Sequence, residues 1–389
     1  MFGKKSKMPL GLYVHIPFCK SKCDYCDFCS FVPNNKGVVE HYTDALILQM
    51  EDWSARCRKY EIDSVYIGGG TPTYLDIKRI SRIIDSIYGN FKIAKRAEIT
   101  VECNPATADF QYLKKLRRLG VNRLSIGCQS AQDNELKALG RIHTYAQFVD
   151  CFNDARDAGF DNISVDLMYG IPEQTEQSFT ETLTAVTSLG PEHISLYALK
   201  IEDNTPFAAM RDKLVLPGEE VEYAMYNHAV DYLAARGYER YEISNFCKRG
   251  AASLHNLKYW HCDDYLGLGA GAHSYFEDER FSTTRVVRDY IDGIEIIGSN
   301  IDIVASREKI SSAACMDEYV MLAMRLEEGI VISDFEARFG IPFAEKYGVR
   351  LDEYVGDGFV IKDENGYRFS SNGMFVSNYI LSSVLDLDE

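Results

Sequence analysis

The first 240 residues of the chain alternate between two hydrophobic periods. Short apolar, β-branched or aromatic runs occur at LYVHI (12–16), SVYIG (64–68), EITVE (98–102), RLSIG (123–127), NISVDLM (162–168) and HISLYAL (193–199). Between them lie longer stretches such as VVEHYTDALILQMEDWSARC and FQYLKKLRRLG, with apolar residues at helical spacing. The alternation predicts about six βα units, and runs that are apolar on both faces predict a parallel sheet covered by helices. Six units are two short of a full TIM barrel. The expected fold class is therefore α/β, an open, partial (β/α)6 TIM-type barrel, in which chemistry gathers at the C-terminal ends of the strands.

The pattern changes at about residue 246. HNLKYWHCDDYLGLGAGAHSY (255–275) is aromatic and glycine-rich and lacks helical periodicity. Beyond residue 300 the reading is a helix near 311–328, the segment GIVISDFEARFG, another helix, and the hairpin-like GFVIKDENGYRFSSNG. That order predicts a smaller C-terminal α+β, winged-helix-like domain. The expected division is a barrel domain over 1–245, a connecting segment over 246–298 and an accessory domain over 299–389. No internal repeat and no low-complexity segment is visible.

Composition narrows the class. The 389 residues are 46% hydrophobic and 26% charged, as in a globular protein large enough for more than one core. No run of 18 apolar residues occurs, so no membrane span is expected. The basic N-terminus MFGKKSKMPLG has no apolar stretch behind it and does not read as a secretory signal. A formal charge of −16 argues against a nucleic-acid partner. Eleven cysteines, an odd number without a scaffold rhythm, point to a reducing cytoplasm.

Three of those cysteines are dense. Cys19, Cys23 and Cys26 follow a C-x3-C-x2-C spacing in the loop after the first strand. Zinc sites usually combine two C-x2-C knuckles, and no second knuckle appears downstream. A [4Fe–4S] cluster held by three thiolates would keep one iron open to a ligand that is not protein. The competing explanations are a zinc-stapled α/β protein and a chance cluster of buried thiols. Cys29 is either a fourth ligand or a bystander. At the exits of later strands stand GGGTP (68–72), Glu102 in VECNP, Gln129 in GCQS and Asp166, with Arg141 in the helical stretch after the fourth. Glycines allow close backbone approach to a ligand. Polar side chains at consecutive strand exits need partners if they are buried.

LYVHIPFCKSKCDYCDF resembles the opening of the coproporphyrinogen dehydrogenase-like branch of the radical S-adenosylmethionine (SAM) superfamily. The resemblance covers nearly the whole chain. It implies that the amino and carboxylate groups of SAM chelate the open iron, and that an electron from the cluster cleaves the sulfonium to a 5′-deoxyadenosyl radical. A fourth thiolate would occupy the iron that SAM needs. It further implies SAM contacts at Tyr13, Tyr25, Gly69, Gly70, Thr71, Glu102, Gln129, Arg141 and Asp166, with Ala198 a looser match.

Two features separate members of the branch. The oxygen-independent coproporphyrinogen III dehydrogenases carry a cysteine two positions after the third ligand, where this chain has Phe28. They also use an N-terminal extension that is not evident ahead of a first strand near residue 12. In contrast, HNLKYW (255–260) is similar to the H-N-x-x-Y-W signature of the HemW-like haem chaperones. That resemblance implies a cytoplasmic protein carrying a cluster, SAM and haem, which passes haem to an acceptor protein and takes electrons from a donor. A homodimer is common in this family. His255 is the candidate haem ligand, with His261 and Cys262 weaker candidates, while a packed, hydrogen-bonded histidine is the competing explanation. Tyr259, Trp260 and Tyr265 could stack on a porphyrin. A coproporphyrinogen III dehydrogenase and a radical SAM haem-modifying methyltransferase remain as enzymatic alternatives.

Overall fold

The computed structural model describes residues 8–295 and 303–385; the basic segment 1–7 and the expected boundary at 298/299 lie outside the described residues. Six strands follow the predicted runs. They are β1 (Met8–Ile16), β2 (Tyr60–Gly69), β3 (Ile93–Cys103), β4 (Arg123–Gln129), β5 (Ile163–Tyr169) and β6 (His193–Ala198). Neighbours in sequence are neighbours in space, and all five pairings are parallel. β4 is buried at every residue and β5 at all but one, as expected of strands covered on both faces.

The crossover helices begin where the sequence supplies caps. Asn35, Asp76, Asp109, Thr144 and Thr175 each accept a hydrogen bond from a backbone N–H of the first turn. Thr144 and Thr175 complete reciprocal capping boxes. The helix Glu176–Leu189 stops at Gly190, whose left-handed conformation (φ 71°) suits glycine.

The parallel core does not close on itself, which is the partial barrel expected. Beyond β6 lie two antiparallel strands, β7 (Glu239–Glu242) and β8 (Asn245–Cys247), with β8 next to β6. On the other edge β9 (Tyr265–Leu268) runs parallel to β1. The antiparallel strands β10 (His273–Phe276), β11 (Glu279–Thr283) and β12 (Val304–Lys309) follow, giving a 12-stranded sheet. The segment 246–298 therefore supplies three whole strands of this sheet, β9–β11, together with two short helices, Leu254–Trp260 and Val287–Glu295. These elements leave little periodic signal because they are short; β12, which follows the segment, leaves little because it is exposed along nearly its whole length.

One hydrophobic core runs from Leu10 to Ile303, and a second is formed within Met316–Leu385. The second surrounds helices Ser312–Ala323, Ile332–Phe339 and Val349–Gly356. It also contains a three-stranded sheet of β13 (Ile330–Val331), β14 (Val360–Lys362) and β15 (Gly366–Phe369), in the order β13-β15-β14. A helix near 311–328, a later helix and a hairpin follow in the expected order, while the segment GIVISDFEARFG between them adds β13 and a third helix, Ile332–Phe339.

The Leu254–Trp260 helix is fixed from below. The Glu98 carboxylate on β3 accepts from the N–H groups of Leu254 (3.1 Å) and His255 (3.2 Å) and from Ser253 Oγ (3.4 Å). An anion at a helix N-terminus satisfies donors that have no partner within the helix. Replacing Glu98 by Ala leaves these buried donors unpaired and is expected to lower stability by about 2 kcal/mol, read from the midpoint of urea unfolding at unchanged m-value. An unchanged midpoint would show that the helix is anchored elsewhere.

Candidate functional site

The mouth at the C-terminal ends of β1–β6 is organised by the loop 17–31. Both ends of the loop are pinned: Cys19 N–H donates to Phe31 O (3.0 Å), and Phe31 N–H donates to Pro17 O (2.9 Å). Midway, Asp24 N–H donates to Leu139 O (3.2 Å), and Asp24 O accepts from Phe207 N–H (3.0 Å). The loop also locks to the end of β2, where Gly70 N–H donates to Ile16 O and Thr71 N–H to Phe18 O, both at 2.8 Å.

Cys19, Cys23 and Cys26 all line one cavity of about 140 Å³, together with Gly69, Gly70 and Thr71. Thr71 Oγ1 donates to Cys19 Sγ at 3.6 Å, and an Arg141 guanidinium N–H donates to Cys23 Sγ at 3.7 Å. Burial pushes the Cys19 and Cys26 thiols up from the ordinary cysteine range. Among the described residues, no three His, Cys, Asp or Glu side chains converge on a position for a single metal ion. Three thiols spread around a cavity suit a group that offers each its own iron. A Cβ on Gly70 would lie 3.0 Å from Cys19 Sγ and 2.8 Å from Phe18 O, so glycine is what admits the sulfur.

The opposite wall carries the polar strand ends. Register sets Glu102 on β3 opposite Ser125 on β4, and Gly127 on β4 opposite Asp166 on β5. Glu102 accepts from Tyr66 OH (2.9 Å) and from Gly69 N–H (3.0 Å). Burial, with Asp166 close by, pushes its carboxyl up to about 7 despite those two bonds. Burial also raises Asp166, which accepts from Ser125 Oγ at 3.0 Å. Arg141 donates to Gly127 O (2.9 Å), and its Nε is buried without a partner. Gln129 has left-handed backbone (φ 71°) at a register shift in β4, a strained placement that brings it to the cavity wall.

The structure thus brings Tyr25, Gly69, Gly70, Thr71, Glu102, Gln129, Arg141 and Asp166 to the thiol cavity. Ala198 lines a second, adjoining cavity of about 610 Å³. Tyr13 lines a third, of about 540 Å³, which also contains Cys29. Cys29 does not line the thiol cavity; its Sγ contacts Arg285 O at 3.5 Å. His255 lines none of the three. It is 1% exposed, with Nδ1 at 2.9 Å from Ser64 Oγ and Nε2 at 2.9 Å from Tyr259 OH. His261 pairs with Glu328 (2.8 Å), and Cys262 borders a separate small cavity.

Two residues at the site were not expected there: Phe28, singled out only as standing where the dehydrogenases carry a cysteine, and His15. Phe28, 68% exposed, lines all three cavities. Burial keeps His15 below the usual histidine range and hence neutral. Its Nε2–H donates to Cys29 O (2.8 Å), which leaves Nδ1 to accept from Tyr13 OH (2.9 Å). The only sequence hint of this tether was the position of His15 just ahead of the cysteine loop.

The chain matches the model of the radical SAM superfamily over residues 13–186 and that of the HemN C-terminal domain over residues 310–376. It is 33% identical over 376 residues to the heme chaperone HemW of Bacillus subtilis (strain 168), covering 96% of this chain and 98% of that protein. It is likewise 33% identical over 384 residues to the heme chaperone HemW of Escherichia coli (strain K12), at 97% and 98% coverage. The solved structure of coproporphyrinogen III oxidase (HemN) from Escherichia coli, described as a radical SAM enzyme, superposes with a TM-score of 0.86. The two are 25% identical, over 99% of this chain and 92% of that one. The chain belongs to the radical SAM superfamily and, within it, to the family of HemW heme chaperones. Radical SAM membership implies a [4Fe–4S] cluster and SAM. The three thiols, the glycine cradle and the unpartnered Arg141 Nε fit such a pair. No helix among the described residues is long and apolar enough to cross a membrane.

Glu102 gives the site a pH signature. Its folded pKa of about 7 lies above the ordinary 4.5, so the folded chain keeps a proton that the unfolded chain releases. Stability contributed at this position is therefore lost as pH rises through that window. Asp166 and Glu242 shift in the same direction, so the comparison must be differential. Between about pH 5 and pH 8, the fall in melting temperature of the ligand-free protein should be smaller in Glu102→Gln than in the wild type. Identical falls would show that Glu102 is ionised throughout.

Proposed function

We propose that this member of the family is a haem chaperone of radical SAM architecture, which binds haem and passes it to an acceptor protein. The observation that carries the reading is end-to-end likeness to relatives named heme chaperone, with 96% of the chain aligned to the first of them. Phe28 supports it, because it stands where the resemblance gives the dehydrogenases a cysteine. The thiolates of Cys19, Cys23 and Cys26 would hold three irons of the cluster, with the fourth facing the cavity. When bound, cluster and SAM together supply one-electron chemistry at the sulfonium.

The chain's own residues then have defined tasks. The Thr71 hydroxyl and an Arg141 N–H donate to the Cys19 and Cys23 sulfurs and would stabilise the negative charge of those thiolates when they hold a cluster. Gly69 and Gly70, which have no side chains, would let the methionyl end of SAM approach the backbone closely; their N–H groups are already given to Glu102 and to Ile16 O. Glu102 and Asp166 are two carboxylates in one buried wall, and they complement the positive charge of SAM. Gln129, Tyr25, Tyr13 and Ala198 complete the surroundings that the resemblance assigns to the cofactor. The acceptor and an electron donor are protein partners that this reading requires in the cytoplasm, where the chain could act as a homodimer. The division into 1–245, 246–298 and 299–389 belongs to the same proposal.

A second reading, a coproporphyrinogen III dehydrogenase, is favoured by the superposition on that oxidase. Anaerobically reconstituted protein with SAM and reductant should leave coproporphyrinogen III unconverted to protoporphyrinogen IX, while a parallel sample binds haem. Product formation at useful rates would replace the chaperone reading with the enzymatic one. In the same preparation Cys23→Ala should lose the visible absorbance of the cluster. A persisting cluster would overturn the ligand assignment.

A further inference from the structure

The third cavity of the mouth lies beside the thiol cavity and shares Phe28, Gly69 and Glu102 with it. Its far wall is built by the segment after residue 246. β9 runs parallel to β1, so it ends at the mouth; β10 is antiparallel to β9, so it begins there. His273, the first residue of β10, is thereby placed at the mouth, and β11 returns the chain to deliver Arg285 beside it.

The histidines of the chain differ sharply in what they do. Seven of the eight are committed through hydrogen bonds to a hydroxyl, a backbone carbonyl or a carboxylate, six of them being His15, His41, His143, His193, His255 and His261. A seventh, His228, bonds Thr180 at 3.1 Å. His273 alone makes no side-chain hydrogen bond or ion pair among the described residues, and it is exposed to the cavity. Around it stand the rings of Tyr13, Phe28, Tyr259 and Tyr265, with Tyr259 and Tyr265 edge to face at 4.6 Å. Arg285 donates one N–H to Asp27 O (3.1 Å) and has no carboxylate partner among the described residues. A cavity of about 540 Å³ falls in the size range of pockets for ligands of this kind.

We propose that haem is seated in this third cavity, with the His273 imidazole on its iron, the aromatic rings against the porphyrin and Arg285 facing a propionate carboxylate. The inference rests on the haem-chaperone reading and assigns its cargo a site. A free imidazole is the ligand type haem iron takes most readily from protein, planar rings suit a flat apolar macrocycle, and a guanidinium fork suits a carboxylate. In this arrangement the H-N-x-x-Y-W segment contributes Tyr259 to the cavity, while His255 holds Tyr259 from behind.

The test is a titration of the full-length, cluster-loaded protein with ferric haem, followed by Soret absorbance and electron paramagnetic resonance. His273→Ala should lose the imidazole-ligated spectrum and weaken haem binding by about tenfold or more, with cluster absorbance intact as the control for folding. His273→Cys should convert the spectrum to the thiolate type. Unchanged spectrum and affinity in His273→Ala would overturn the assignment while leaving haem binding in place. The assignment falls equally if the ligand signature is lost in Cys29→Ser or His255→Ala and kept in His273→Ala. Failure of the wild-type protein to bind haem at all would overturn the chaperone reading and this site with it.

Discussion

How closely the exit of β1 approaches the exit of β2 decides where every group at the mouth can stand. Ile16 lies opposite Gly69, and two backbone hydrogen bonds carry the contact on to Gly70 and Thr71. This approach needs residues without side chains. A Cβ on Gly69 would fall 2.5 Å from the His15 ring, and one on Gly70 would press on Phe18 O. Gly69 also has φ 114°, a conformation that L side chains rarely adopt. With the approach made, Thr71 reaches Cys19, His15 reaches the carbonyl of Cys29, and the cysteine loop is held at its start and near its end. The remaining stretch, 20–28, can then present sulfurs without a regular element of its own.

Charge is the second consequence of that geometry. The wall opposite the thiols holds the half-buried carboxyls of Glu102 and Asp166 close together, an arrangement that costs free energy which Arg123 and Arg141 offset only in part at Asp166. Tyr66, Ser125 and the Gly69 N–H supply hydrogen bonds that lower the cost without removing it. Arg141 stands across from this pair and leans toward Cys23. The cavity therefore combines an anion-stabilising side at the sulfurs with a cation-seeking side at the strand ends. A ligand that carries positive charge and also chelates a thiolate-held metal answers both. The loss in apo stability falls on the residues that the chemistry needs.

What the sequence disclosed follows from the same physics. The six parallel strands were legible because burial on both faces demands unbroken apolar runs, as in the wholly buried β4. β3 extends further than its run because Lys95 and Arg96 lie on exposed positions that carry no pattern. The strands β7–β12 were missed because all have six residues or fewer, too short for a period to show, and because the edge strand β12 is exposed along nearly its whole length. At the site, polar residues at successive strand exits were readable, since side chains there have little structural reason to be polar. The direction a residue faces was not readable. A seven-residue helix gives too few turns to tell whether His255 points in or out, and no spacing reveals that Tyr13 borders a different cavity from Cys19.

Cys29 shows why three thiols and not four surround the first cavity. Its carbonyl is taken by His15 on the strand side, and its sulfur rests against Arg285 O and close to Gly271, where a Cβ would come within 2.7 Å. Backbone and side chain are thus fixed by separate partners, and both place the thiol in the neighbouring cavity. The wall between the two cavities is thin: Phe28, Gly69 and Glu102 face both. A ligand on one side that reorients Phe28 or ionises Glu102 alters the surface offered on the other. Linkage then requires each ligand to change the affinity of the other by the same factor. On the proposed assignment of cluster and SAM to the first cavity and haem to the third, the architecture that sets the Cys29 thiol in the neighbouring cavity is also the one through which the two ligands would sense each other.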